Sequence, residues 1–320
     1  MRVGIFGDGS WACALADVVT RKGHDLYWWV HREELAQHIT AHGRHPSVFP
    51  GHQFPRERLA QVSTDGREII TSSEVLLLAL PSRYVSSALE SWDIAGKPWI
   101  SCTKGLLPES GERPSEYLRA RGVQQFAVLS GPSYAEEVIQ QRPTWVGLGS
   151  YSEEFTHLAQ EALATKYFHL IPTAAVVALE WVGVLKNIYA IGLGAVGLLG
   201  DNVRAAMAAA MLKELQSVLH AWVPEETADL LSPAWAGDFL VTAFGRFSRN
   251  QRMGQYLAQG YAPRIALHRV GMVVEGYHAA QALREKVSAA FPFLNIIVSV
   301  LTERFSPDAL PRLLMERLSR

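Results

Sequence analysis

From Arg2 to about Pro172 the chain alternates short apolar runs with amphipathic stretches, and beyond Pro172 that alternation stops. Arg2–Phe6 (RVGIF) predicts a strand and His24–Val30 (HDLYWWV) the next. Val75–Leu80 (VLLLAL) is apolar at every position, as a central parallel strand covered on both faces must be. Trp99–Cys102, Phe126–Leu129 and Thr144–Leu148 continue the series. Trp11–Lys22 places Ala12, Leu15, Ala16 and Val19 on one helical face, and Gly23 closes it at the C′ position. Glu116–Arg121 and Tyr134–Gln140 are helical patterns that follow two of the later strands. Strands alternating with helices predict βαβ units and a parallel sheet.

After Pro172 the segments Ala174–Val196, Val203–Trp222, Glu225–Leu231, Gln255–Leu257, Ile265–Val270, Tyr277–Ala289 and Pro307–Leu318 read as wholly or partly helical. A length of 320 residues suits two domains. The change of pattern divides them into an α/β domain with a mostly parallel sheet over 1–172 and an all-helical domain over 173–320. The loop Gly43–Pro55, rich in His, Pro and Gly, reads as surface or site-lining. Ala174–Leu199 is apolar enough to raise a membrane reading, but Glu180 and Lys186 interrupt it. A charge at mid-bilayer costs at least about 2.5 kcal/mol, so the stretch is expected to be a buried helix carrying a functional charge, with no membrane span.

Composition narrows the partners. Hydrophobic residues are 48% and charged residues 19% of the chain, an ordinary globular balance. Lys plus Arg is 30 against 31 Asp plus Glu, so the chain lacks the basic excess of a broad nucleic-acid surface, and no nucleic acid is expected as partner. A local anion site remains compatible with that total. Cys13 and Cys102 form neither a disulfide framework nor a CxxC pair and read as small buried residues. Met1–Phe6 runs straight into Gly7-Asp8-Gly9, too short for a secretory h-region, and a cytoplasmic location is expected.

Gly7-Asp8-Gly9-Ser10-Trp11-Ala12 sits between the first strand and the first helix and fits G-x-G-x-x-G/A. Gly7 permits a tight turn, Gly9 lets the backbone approach a pyrophosphate, and the small Ala12 lets helix and sheet pack closely. Exposed N–H groups and the helix dipole then hold the anion. This makes the first domain Rossmann-type and the cofactor a dinucleotide. An acid about 20 residues on would bind a ribose 2′-hydroxyl. Here the second strand ends in His31-Arg32, with Glu33 and Glu34 in the first turn of a following helix. Arg32, with His31, suits a 2′-phosphate, so NADP is expected over NAD; the alternative is that both are solvated loop residues.

Pro81-Ser82, Thr103-Lys104-Gly105 and Ser130-Gly131-Pro132-Ser133 each follow a predicted strand, where open α/β sheets bind ligands. Lys186-Asn187 lies within the apolar helix, where a lysine needs a task, a partner or a shifted pKa. Gly192, Gly194 and Gly197 weaken that helix unless another backbone or a ligand comes close. Gly237-Asp238, Thr242 and Ser248-Arg249-Asn250 form a polar cluster whose arginine and neighbouring donors suit a phosphate or carboxylate, or else a solvated loop. His38, His42 and His45 have helical spacing, but Pro46 follows at once and no acid completes a zinc set, so no metal is expected.

Taken in order, Gly7-x-Gly9-x-Trp11, Ala79-x-Pro81-Ser82, Thr103-Lys104-Gly105-Leu106, Leu129–Ser133, Lys186-Asn187, Gly200-Asp201-Asn202, Gly237-Asp238 with Thr242, Ser248-Arg249-Asn250 and Glu275-Gly276 resemble the NAD(P)-dependent glycerol-3-phosphate dehydrogenases, from Arg2 to about Ala280. The resemblance implies interconversion of dihydroxyacetone phosphate and sn-glycerol 3-phosphate, for phospholipid synthesis, by a homodimer. It implies that Lys186 exchanges the proton, with Lys104 and Asp238 completing the catalytic set. Gly131 and Ser133 would contact the substrate, and Ser248, Arg249 and Asn250 would close over its phosphate. Gly7, Gly9, Ser10, Trp11, His31, Arg32, Lys104, Ala135, Arg249, Val273 and Glu275 would contact the cofactor. The chain departs from the family pattern at Ala12 (glycine), at His45-Pro46 (Asn-Pro), at Met211-Leu212 (Arg-Gly) and at Thr242-Ala243 (Thr-Cys). Two alternatives stay open. A 6-phosphogluconate or ketopantoate type of dehydrogenase does not predict Ser248-Arg249-Asn250 at this spacing, and a non-catalytic NADP(H) sensor has no need of Lys186, Lys104 and Asp238 together.

Overall fold

The computed structural model describes residues 1–245 and 248–319. Its first elements are β1 (Arg2–Phe6), α1 (Ser10–Arg21), β2 (Asp25–Trp29), α2 (Glu33–His42), β3 (Leu59–Ser63), α3 (Gly66–Ser72), β4 (Val75–Leu78) and α4 (Val85–Leu89). There follow β5 (Trp99–Ser101), α5 (Pro114–Ala120), β6 (Phe126–Ser130), α6 (Ala135–Val138), β7 (Thr144–Gly149), α7 (Glu153–Leu163) and β8 (Phe168–Thr173). The eight strands form one sheet in the order β3-β2-β1-β4-β5-β6-β7-β8. Every neighbouring pair is parallel except β6 with β7, which are antiparallel. The order reverses between β1 and β4, the switch point where such sheets bind ligands. All four residues of β4 are buried, in keeping with its uniformly apolar sequence.

Two strands, β3 and β8, go beyond the sequence expectation. Both lie at the edges of the sheet. LAQVS in β3 has no fully buried residue, and FHLIPT in β8 carries Pro172, which an edge strand tolerates because one row of its N–H groups has no ladder partner. Edge strands need no continuous apolar run, so the periodicity is silent there. The helix α7 was likewise not expected; Ser152 caps it by accepting from the Phe155 N–H at 3.1 Å.

The later elements are helices: α8 (Val176–Val196), α9 (Asp201–Trp222), α10 (Ala236–Phe244), α11 (Arg249–Ala258), α12 (Pro263–Val270), α13 (Glu275–Leu283), α14 (Pro292–Leu301) and α15 (Leu310–Leu318). Glu225–Leu231, expected to be helical, is turn and loop; Leu230 is buried while Leu231 is 81% exposed, so the segment offers no apolar stripe. The helix expected over Tyr277–Ala289 ends at Leu283. Conversely, α10 and α14 form where no helix was expected. The chain folds as two compact units, Met1–Thr103 with Arg113–Val176, and Lys104–Glu112 with Val177–Arg320. The second unit thus takes a short segment from the middle of the first.

Val176–Leu199 is, among the described residues, the helical stretch long and apolar enough to cross a membrane, and 83% of its most apolar window is buried inside the protein. Its first turn is capped from a distance, the Val177 and Ala178 N–H groups donating to the Glu226 carboxylate at 3.2 and 2.8 Å. In the same way the Phe293 and Leu294 N–H groups at the start of α14 donate to Glu214 at 2.9 and 2.8 Å. Both acids satisfy helix-end donors that burial would otherwise leave unpaired.

The glycines of α8 do admit close neighbours. A side chain at Gly194 would strike the Gln251 carbonyl of α11, and one at Gly254 of α11 would strike the Ile191 carbonyl of α8. Backbone here packs directly on backbone. Gly254→Ala must push α8 and α11 apart, an overpacking that costs typically 1–3 kcal/mol in a close-packed core, or about that much here. Urea unfolding followed by circular dichroism is expected to show a lower midpoint with an unchanged slope. A wild-type midpoint would rule this packing account out.

Candidate active site

The second unit buries three charges together. Lys186 lies mid-way along α8, Asp238 in the first turn of α10, and Lys104 on the segment after β5. The Lys186 ammonium donates to Asp238 Oδ1, and Lys104 Nζ lies 3.6 Å from Oδ2 of the same carboxylate. The Lys186 and Asp238 side chains are 5% and 2% exposed, and Lys104 is 24% exposed. Lys104 is therefore the open end of the group. A carboxylate in a helix first turn is favoured by the dipole.

Burial pushes the Lys186 ammonium down to about 7, helped by the like charge of Lys104 and opposed by Asp238. Burial would raise the Asp238 carboxyl, but the two lysines outweigh it and hold it below the ordinary value. The trio thus presents a permanent carboxylate, an open cation, and a lysine able to gain or lose its proton near neutrality. That is the requirement for acid–base work at physiological pH.

A second polar network flanks α11. Ser248 is its N-cap, accepting from the Gln251 N–H at 3.3 Å. Asn250 Nδ2 donates to Asn187 Oδ1 at 2.8 Å, and Asn250 Oδ1 accepts from the Gly276 N–H at 3.1 Å. Arg249 is half-buried and has no ion-pair partner among the described residues. Gln251 Nε2 donates to the Thr242 and Gly245 carbonyls at 2.8 and 3.2 Å, while Arg204 donates to Gln251 Oε1 and to the Ala243 carbonyl. Thr242 Oγ1 donates to the Asp238 carbonyl at 2.7 Å. The end of α10 is thereby tied to the start of α11. Asn187, Arg204 and Gln251 were not among the expected site residues. Ser248-x-x-Gln251 does carry a helix-start signal, the Ser-x-x-Gln form of a capping box. Val273 and Glu275 flank the N-cap Val274 of α13, with Glu275 its first residue.

In the first unit, Gly7, Gly9 and Ser10 form the turn from β1 into α1. Gly7 has φ +135°, and a side chain there would strike the Ala79 carbonyl at the end of β4. A Cβ on Gly9 would meet no atom within 4 Å. No side chain caps α1, so its first N–H groups remain available to an anion. Trp11 packs on Phe168 with ring centroids 6.3 Å apart, and its buried Nε1 has no partner among the described residues. The turn therefore has the shape and donors a pyrophosphate needs.

His31 and Arg32 are exposed after β2. The neighbouring acid Glu33 is engaged locally, accepting from Thr64 Oγ1 at 3.0 Å and Gln37 Nε2 at 3.2 Å. Arg32 and the acid Glu34 beside it are both exposed. At the carboxyl end of β6, Gly131 is buried, its carbonyl accepts from Ser133 Oγ at 3.0 Å, and Ala135 opens α6. His38 and His42 stack at 4.3 Å, and no group of three His, Cys, Asp or Glu side chains able to hold a metal occurs among the described residues.

Two family models match the chain: the NAD-dependent glycerol-3-phosphate dehydrogenase N-terminus over residues 2–156 and its C-terminus over residues 175–312. A glycerol-3-phosphate dehydrogenase (NAD(P)+) of Thermoanaerobacter sp. (strain X514) is 33% identical over 315 residues, 96% of this chain and 94% of the relative. One from Pelodictyon phaeoclathratiforme is 31% identical over 317 residues, 95% of this chain and 94% of the relative. The crystal structure of a glycerol-3-phosphate dehydrogenase from Coxiella burnetii superposes with a TM-score of 0.86 at 26% identity, covering 100% of this chain and 99% of the other. These matches do not support the 6-phosphogluconate or ketopantoate alternative, nor a sensor without activity. With both halves matched in order and almost the whole length aligned, the chain belongs to the NAD-dependent glycerol-3-phosphate dehydrogenase family.

Proposed function

We propose that this protein is a glycerol-3-phosphate dehydrogenase that interconverts dihydroxyacetone phosphate and sn-glycerol 3-phosphate with NADPH or NADH. The observation that carries the reading is the buried Lys186–Asp238–Lys104 group, with its one lysine titrating near neutrality. The reduced nicotinamide supplies a hydride to the carbonyl carbon when bound. Lys186 donates its Nζ proton to the carbonyl oxygen as negative charge develops there, and takes it back in the reverse direction. Asp238 holds and orients that ammonium, and Lys104 adds a second positive charge facing the substrate. Arg249 grips the phosphate through its planar fork, with Ser248 and Asn250 placed by the α11 network beside it. Gly131 and Ser133 are the remaining substrate contacts.

For the cofactor, Gly7, Gly9, Ser10 and Trp11 cradle the pyrophosphate, and His31 and Arg32 receive a 2′-phosphate, giving NADP preference over NAD. Lys104, Ala135, Arg249, Val273 and Glu275 complete the contacts. In this reading residues 1–172 are the dinucleotide-binding domain and 173–320 the substrate-binding domain, each lending a few contacts to the other ligand. The family resemblance supports three further points: a cytoplasmic homodimer, and a product that serves as the glycerol backbone of phospholipids.

The direct test is oxidation of NADPH, then NADH, with dihydroxyacetone phosphate as acceptor; absence of turnover with both overturns the reading. Lys186→Ala is expected to lower kcat by roughly 10²–10⁴ while the NADPH Kd stays near wild type. Lys186→Arg should restore little, since guanidinium is a poor donor. The reduction needs the protonated lysine, so its kcat/KM should fall as pH rises through about 7, and that of the oxidation should rise over the same window. Lys104→Gln removes a like charge and should move both limbs to higher pH. A pH profile unchanged in Lys186→Ala assigns the proton elsewhere.

Cofactor choice is tested by Arg32→Asp. Losing a charge-assisted bond of about 1.5–3 kcal/mol should cut the NADPH-to-NADH preference by an order of magnitude or more. An unchanged ratio of kcat/KM values removes Arg32 from that role.

Phosphate anchoring is tested by Arg249→Lys, which keeps the charge but loses the bidentate fork. A clear rise in KM for dihydroxyacetone phosphate is expected, with little remaining preference over unphosphorylated dihydroxyacetone. Wild-type discrimination by the variant assigns the phosphate to another side chain.

A further inference from the structure

Lys186, Asp238 and Arg249 stand on three helices of the second unit, α8, α10 and α11, and side chains join these helices in pairs, as the sides of a triangle. The first side joins α8 to α10 and is the Lys186–Asp238 ion pair itself. The second joins α8 to α11: Asn250 Nδ2 donates to Asn187 Oδ1 at 2.8 Å, next in sequence to Arg249 and to Lys186. The third joins α10 to α11 without using any of those charged groups. Gln251 Nε2 donates to the Thr242 and Gly245 carbonyls at 2.8 and 3.2 Å. The Arg204 guanidinium, reaching across from α9, donates both to Gln251 Oε1 and to the Ala243 carbonyl.

Arg204 is seated for this task. Its guanidinium carbon lies 4.8 Å from the centre of the Phe244 ring, and its stem runs past Gly197, where a Cβ would stand 3.3 Å from Arg204 Cδ. It is half-buried and makes no ion pair among the described residues. Its charge goes instead to the carbonyl end of α10, where a helix dipole favours a cation. The Gln251 carboxamide is fully engaged, with both amide hydrogens given to α10 and its oxygen to Arg204.

A triangle with three fixed sides is rigid, and one with two can hinge. Gly194 and Gly254 seat α11 on α8 backbone to backbone, so α10 is the member left to move. The ion pair holds α10 at its first turn, and Arg204 with Gln251 holds its last. We propose that Arg204 and Gln251 are positioning residues that fix the separation between the proton group and the phosphate fork at the span of the phosphorylated substrate. The inference rests on the reading of Lys186 and Arg249 given above. A ligand that spans both groups should feel the loss of the third side, while one that touches a single group should not.

The test uses Arg204→Met in the full chain, which keeps an unbranched stem and removes both donations. Its kcat/KM for dihydroxyacetone phosphate should fall roughly ten- to hundredfold, the cost of an ångström-scale misplacement. The competitive inhibition constant of inorganic phosphate, which touches the fork alone, should stay at the wild-type value. So should kcat/KM for unphosphorylated dihydroxyacetone, which touches the proton group alone. Arg249→Lys, by contrast, should weaken inorganic phosphate and dihydroxyacetone phosphate together. Gln251→Met cuts the same side from α11 and should give the same readings as Arg204→Met, so the result does not hang on one variant. Circular dichroism and thermal unfolding report whether each is folded.

Wild-type kcat/KM for dihydroxyacetone phosphate in a folded Arg204→Met overturns the proposal. A phosphate constant that rises in step makes Arg204 a phosphate ligand, and equal losses for all three ligands, or failure of both variants to fold, make the pair a stability feature; each overturns it too. Wild type that neither turns over dihydroxyacetone phosphate nor is inhibited by inorganic phosphate refutes the reading of Lys186 and Arg249 itself, and this inference with it.

Discussion

Taking one ammonium group into an apolar helix is the constraint around which the helical unit is built. Lys186 on α8 is 5% exposed, and a lone cation there would lose its hydration without return. Asp238 answers it from the first turn of α10, and Lys104 shares the same carboxylate. The two lysines in turn keep Asp238 ionised although it is buried. Removing Asp238 would leave two lysines uncompensated, so the shared carboxylate is the member the group depends on.

The same economy of polar groups shapes the neighbouring helices. Gly194 and Gly254 let α8 and α11 touch backbone to backbone, which brings Asn250 to Asn187. Arg204 and Gln251 then fasten the end of α10 to the start of α11. Helix ends that packing removes from water are capped by acids far away in sequence, Glu226 for α8 and Glu214 for α14. Fixed helices make fixed side chains, which is what a site needs to place a proton donor and a phosphate clamp within fractions of an ångström.

In the α/β unit the governing feature is a turn with unsatisfied donors. The Gly7 conformation, the uncapped start of α1 and the open space at Gly9 together leave room and donors for an anion. Glu33, an acid near the end of β2, is committed to Thr64 and Gln37, while Arg32 beside it is exposed.

By itself the sequence determined the interior strands, the cofactor turn and the identity of the charged residues. Each is a local matter: a run such as VLLLAL can be satisfied only by burial on both faces, a Gly-x-Gly turn only by a strand–helix junction, and a lysine in an apolar helix only by a partner. The edge strands β3 and β8 escaped because an edge needs no apolar run, and α10 escaped because Gly237 and Asp238 imitate a loop until the rest of the fold buries Asp238. Tertiary structure alone decided that Asp238, 52 residues away, would be the partner of Lys186, and that Gln251 would face Thr242 and Gly245. These pairings depend on which helix faces and loops meet. That is set by the shape of the whole core, and no local pattern along the chain encodes it.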